Sequence, residues 1–90
     1  MQARLVLEYL EGLAERLDVE IVYQKLGDEE LPVKGGLCRV NGAFKIFIDR
    51  SQSIEDQIKV MSQGLASFDI EGVYLFPYIR EVLEKIQRQP

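Results

Sequence analysis

The chain contains no histidine, and it has one cysteine in 90 residues. Each shortage removes chemistry. Without histidine there is no imidazole base to activate a serine or cysteine nucleophile, and no imidazole ligand for zinc. Cys38 alone can build neither an internal disulfide nor a thiolate zinc centre, which agrees with a reducing compartment. No apolar run approaches the roughly 18 residues needed to span a bilayer. The N-terminal stretch MQARLVLEYLEG carries acids inside its apolar pattern, unlike a signal peptide. A cytoplasmic location and no membrane partner are therefore expected. Basic charge is also thin. Eleven lysines and arginines are scattered against fifteen acids, for a net charge of −4, and no three basic residues lie together. A surface that tracks nucleic-acid phosphates needs a basic stripe, so nucleic acid is not an expected partner.

What is present fits one globular domain over 1–90, with 47% hydrophobic and 29% charged residues. The strongest local signal is Asn41-Gly42, because both central positions of a type I′ turn need positive φ. Counting outward from a two-residue loop sets Val40 opposite Ala43, Arg39 opposite Phe44, Cys38 opposite Lys45 and Leu37 opposite Ile46. One face of this hairpin then carries Leu37, Phe44, Ile46 and Ile48, a clear core face. The other carries Cys38, Val40, Ala43, Lys45 and Phe47, which is apolar for a solvent face and needs a cover.

Three helices are expected around the hairpin. Over residues 3–17, Leu5, Val6, Tyr9, Leu10, Leu13, Ala14 and Leu17 recur at helical spacing, with Gly12 as an interruption worth about 1 kcal/mol relative to alanine. From Ile54 to Phe68, Ile54, Ile58, Met61, Leu65 and Phe68 make a stripe, and Ser53 with Asp56 resembles a capping box. Pro77 suits the first position of a last helix. There, Glu81/Lys85 and Glu84/Arg88 are spaced for i,i+4 ion pairs. Between the first helix and the hairpin, Val19 to Leu26 alternates as a strand. The expected fold is α+β, in the order α-β-β-β-α-α, with a small three-stranded, mainly antiparallel sheet.

Carboxylates offer the remaining route to catalysis. Asp28, Glu29 and Glu30 lie in a loop, and Asp49 ends a strand beside a turn. General acid–base work, or binding of a hard divalent cation, needs two carboxyl groups on a rigid frame, and a loop supplies charge without one. Lys34-Gly35-Gly36 leads into a strand where a phosphate loop would lead into a helix. No catalytic residue, metal site or cofactor is assigned.

The phrase KIFIDRSQSIEDQIKVMSQGLASF, following a helix, a strand and a glycine-containing loop, resembles the minimal zincin-like peptidases of bacteria and phage. In that family a strand and a serine-containing cap precede a helix bearing HExxH. The corresponding stretch here is Ser62-Gln63-Gly64-Leu65-Ala66. Serine and alanine replace both zinc ligands and glutamine replaces the general base, so the resemblance implies a scaffold without its metal and transfers no functional residue.

The function expected from these residues is a non-catalytic protein-interaction module, self-associating as a homodimer. Its candidate contact residues are Cys38, Val40 and Phe47 on the second sheet face and Tyr74 and Phe76 in the late apolar segment. The alternatives are a small-ligand or peptide binder that uses a sheet edge, and a carboxylate or divalent-metal hydrolase.

Overall fold

A computed structural model describes residues 1–25 and 36–89. Asn41 and Gly42 both take positive φ, 52° and 83°, and close a tight hairpin between β2 (Gly36–Val40) and β3 (Ala43–Asp49). All four expected pairs form: Val40 with Ala43, Arg39 with Phe44, Cys38 with Lys45 and Leu37 with Ile46. The turn fixes the register because shifting it by one residue would expose Ile46 and Ile48, both fully buried.

The chain enters through α1 (Ala3–Arg16), which ends where Asp18 adopts φ 62°. Aspartate tolerates this left-handed conformation, and it reverses the chain directly into β1 (Val19–Gln24). β1 does not join the outer side of β2. It runs parallel to β3 on the opposite side, giving the strand order β1-β3-β2. The sheet is therefore mixed, with antiparallel pairing confined to the hairpin. Strand β3 is buried in the middle, and β1 and β2 are the two edges.

Ser53 caps α2 (Ile54–Leu65) by accepting a hydrogen bond from the Asp56 amide at 3.1 Å, and Glu55 and Asp56 complement the helix dipole. Pro77 opens α3 (Pro77–Gln87) behind Phe76. Neither expected ion pair forms on this helix among the described residues. Glu84 instead approaches Arg80, one turn back, at 3.8 Å. Exposed pairs of this kind are worth little, and Arg80 is already drawn toward this side by the carbonyls it serves (below).

α1 packs on β1, α2 packs on β2 and β3, and α3 packs on α1 and α2 without reaching the sheet. The core lies between them. Leu10 and Leu13 of α1, Met61 and Leu65 of α2, Ile79 and Leu83 of α3 and Ile46 and Ile48 of β3 are all buried in one cluster. Burying a side chain of this size contributes about 1.5–3 kcal/mol. Phe44 joins the cluster edge-on to Phe68, with ring centroids 5.1 Å apart, and Arg39 lies over the other side of the Phe44 ring at 5.2 Å.

Candidate functional site

The side chains of the three strands alternate, so the pairing divides them into two sets. Val19, Ile21, Tyr23, Leu37, Phe44, Ile46 and Ile48 all belong to the helix-side core or pack against it. Val22, Cys38, Val40 and Phe47 belong to the opposite face and to no part of that core. Among the described residues, no helix covers this second face. Two of its polar members, Glu20 and Lys45, pair with each other at 3.5 Å. Cys38 is half-buried in the edge strand β2, and Val40 is exposed beside it.

The five expected contact residues thus fall into two groups on separate surfaces. Cys38, Val40 and Phe47 share the open sheet face. Tyr74 and Phe76 belong to the segment between α2 and α3, which runs along α1. Here Tyr9 of α1 meets Phe76 with ring centroids 4.4 Å apart, and Phe76 meets Tyr74 at 6.2 Å. Large apolar side chains stay exposed in this segment and just after it: Tyr74 by 73%, Phe76 by 39% and Tyr78 by 48%. Between the aromatic wall and α1 runs a groove of about 390 Å³, lined by Glu8, Tyr9, Gly12, Arg16, Tyr74 and Phe76 among others.

The wall is held in shape from α3. Gly72 turns the chain at φ 77°, and the Val73 amide donates to the Ile70 carbonyl at 3.2 Å. The Arg80 guanidinium donates to the Val73 carbonyl and reaches toward that of Ile70. The Gln87 amide group donates to the Ala66 and Phe68 carbonyls at 3.0 and 3.2 Å. Irregular backbone needs such partners wherever it leaves the helical ladder, and here two side chains of one helix supply them. Nothing in the local sequence periodicity marked Arg80 or Gln87 for this work.

A second groove, of about 910 Å³, opens along the edge strand β1. Glu11, Glu15, Asp18 and Glu20 line it, together with Tyr23, whose hydroxyl donates to the Glu11 carboxylate. Burial raises the Tyr23 pKa, and the bond to Glu11 and that carboxylate's charge raise it further, with Arg4 opposing. Among the described residues, no group of three or more histidine, cysteine or acidic side chains is placed to hold a metal ion.

Asp49 is engaged locally. Its Oδ1 accepts from the Ser51 amide at 2.9 Å and from the Ser51 hydroxyl at 2.6 Å, tying the turn that leads to α2. That is the geometry of a side-chain turn closure. Asp28, Glu29, Glu30 and Lys34-Gly35 lie outside the described residues. In the stretch compared with HExxH, Ser62, Gly64, Leu65 and Ala66 are buried and Gln63 is exposed. Ser62 and Ala66 therefore look into the core.

Glu8 and Arg16 fall outside the apolar stripe of α1, and their sequence positions suggest no functional role by periodicity alone. Their signal was available as a spacing: they stand four residues before and four residues after Gly12, with opposite charges. No helix among the described residues is long and apolar enough to cross a membrane. No family model matches the chain, and neither a curated protein nor a solved structure matches it.

Proposed function

We propose that this chain is a non-catalytic protein-interaction module that associates with itself, through the groove between α1 and the Tyr74–Phe76 wall. The observation that carries this reading is the exposed aromatic wall. Tyr74, Phe76 and Tyr78 put three rings at the surface of a small domain that has ample core elsewhere. Aromatic side chains bring large contact area at low entropic cost, and they are enriched where proteins bind one another. The groove they border is concave and mostly apolar, with charge only at its ends, as suits a partner's side chains. Neither groove gathers a nucleophile with a base, so no reaction is assigned to either. The net charge of −4 and the acidic groove along β1 argue against a nucleic-acid partner. A cytoplasmic setting suits a single, half-buried cysteine. On this reading the zincin-like order of elements is a scaffold without its metal, and it contributes nothing to the contact.

Sedimentation velocity of the full chain across the micromolar to millimolar range tests the proposal. The expected result is a concentration-dependent shift from monomer to dimer, and Tyr74→Ser weakens it roughly tenfold or more, as truncation of a central interface aromatic does. Tyr74 is exposed enough that this variant keeps its fold. A wild-type chain that stays monomeric throughout, or a Tyr74→Ser variant that dimerises like wild type, overturns the reading.

A further inference from the structure

Gly12 makes room for no side chain of its own chain among the described residues. It is exposed in the middle of a 14-residue helix, and a β-carbon added to it would meet nothing within 4 Å. Glycine is the poorest helix former after proline, so a gap at this position does something other than make room for the chain's own side chains. On either side of it, at i−4 and i+4, stand Glu8 and Arg16, both exposed and neither in an ion pair among the described residues. The three residues form one i±4 row along α1, and all three line the groove under the aromatic wall.

Resting on the self-associating reading above, we propose that a second copy docks with its α1 antiparallel across this row, about a two-fold axis that passes between the two Gly12 residues. A two-fold contact is self-complementary: what one chain presents at a given distance on one side of the axis, the other presents on the opposite side. Glu8 and Arg16 are equidistant from Gly12, about 6 Å along the helix in either direction. Antiparallel crossing at Gly12 therefore sets each Glu8 against the partner's Arg16, making two opposite-charge contacts from one sequence feature. A parallel crossing would bring like charges together. The missing side chain at the axis lets the two backbones approach where i±4 rows cross. The same rotation leaves both aromatic walls on one flank of the helix pair, each beside its own α1.

Charge reversal tests this axis. Glu8→Arg alone gives a chain with two positive ends, and Arg16→Glu alone gives one with two negative ends. Each by itself should associate roughly tenfold or more weakly than wild type, because both symmetric contacts become repulsive. An equimolar mixture of the two single variants should form a heterodimer. The double variant Glu8→Arg/Arg16→Glu should recover self-association. Gly12→Leu, which fills the axis with a good helix former, should keep the helical signal and lose the dimer. If Tyr74→Ser abolishes the wild-type dimer but the mixture fails to associate, or Gly12→Leu dimerises as wild type does, the axis is wrong and self-association stands. A monomeric wild type removes both.

Discussion

A β-carbon on Gly64 would stand 2.8 Å from Ile46 Cδ1 and 3.2 Å from its Cγ1, with the Leu37 β-carbon at 3.6 Å. Helix α2 thus rests on the sheet at the one residue without a side chain, above the central strand. In an exposed helix, glycine-to-alanine would gain about 1 kcal/mol. Here the gain meets a fully buried isoleucine that has to move. Gly64→Ala is expected to be neutral to destabilising by about 1 kcal/mol, and Gly64→Val to cost about 3 kcal/mol, as overpacking of a tight core does. Urea denaturation measures both. A stabilised Gly64→Ala would show that the contact is looser than described.

Ser62, one turn from the end of the same helix, is 2% exposed, and its hydroxyl has no hydrogen-bond partner among the described residues. An unpaired buried hydroxyl costs about 1–3 kcal/mol. Ser62→Ala removes the hydroxyl with almost no change in volume, so it should stabilise the fold by about 1 kcal/mol. A loss of stability would mean that the hydroxyl is serving a carbonyl or a bound water.

These two residues also show what the sequence could and could not say. The apolar stripe of α2, its Ser53 cap, the hairpin register and the division of β3 into two faces were all readable, because each depends on neighbours a few positions apart. Gly64 carries no local signal for its role, because its reason is a residue eighteen positions earlier on another element. The placement of β1 beside β3, parallel and away from β2, was equally hidden: alternation identifies a strand but names no partner. For the candidate site, Tyr74 and Phe76 stood out by composition alone. Their separation from Cys38, Val40 and Phe47 did not, because that depends on all three helices choosing one side of the sheet. The i,i+4 pairs expected on α3 failed for a related reason. Spacing permits such a pair, whereas the Ile70 and Val73 carbonyls drew Arg80 to a position where Glu84 could meet it.

Tyr23 gives the fold a dependence on alkaline pH. Its pKa is raised in the folded chain by burial and by the Glu11 carboxylate, which accepts a hydrogen bond from its hydroxyl. The folded state therefore holds this proton more tightly than the unfolded state does. The stabilising contribution is complete below the ordinary tyrosine value of 10.0 and is lost as pH climbs above it. Melting temperature should accordingly fall above pH 10 with a component that Tyr23→Phe removes. Identical alkaline slopes for the two proteins would place the dependence elsewhere.

The clamps from α3 to the segment before it have a consequence for motion. Arg80 and Gln87 reach back to the carbonyls of Ala66, Phe68, Ile70 and Val73, so the stretch that carries Tyr74 and Phe76 borrows part of its frame, beyond its own Val73–Ile70 turn. That part is on loan from the last helix. α3 does not touch the sheet, so undocking it would leave the strand ladders intact while the groove wall lost its shape. The groove and α3 are then expected to open together, ahead of the sheet. In hydrogen exchange, the α3 amides should exchange ahead of those of β3. A contact surface built this way is weakened by loosening the eleven residues of α3.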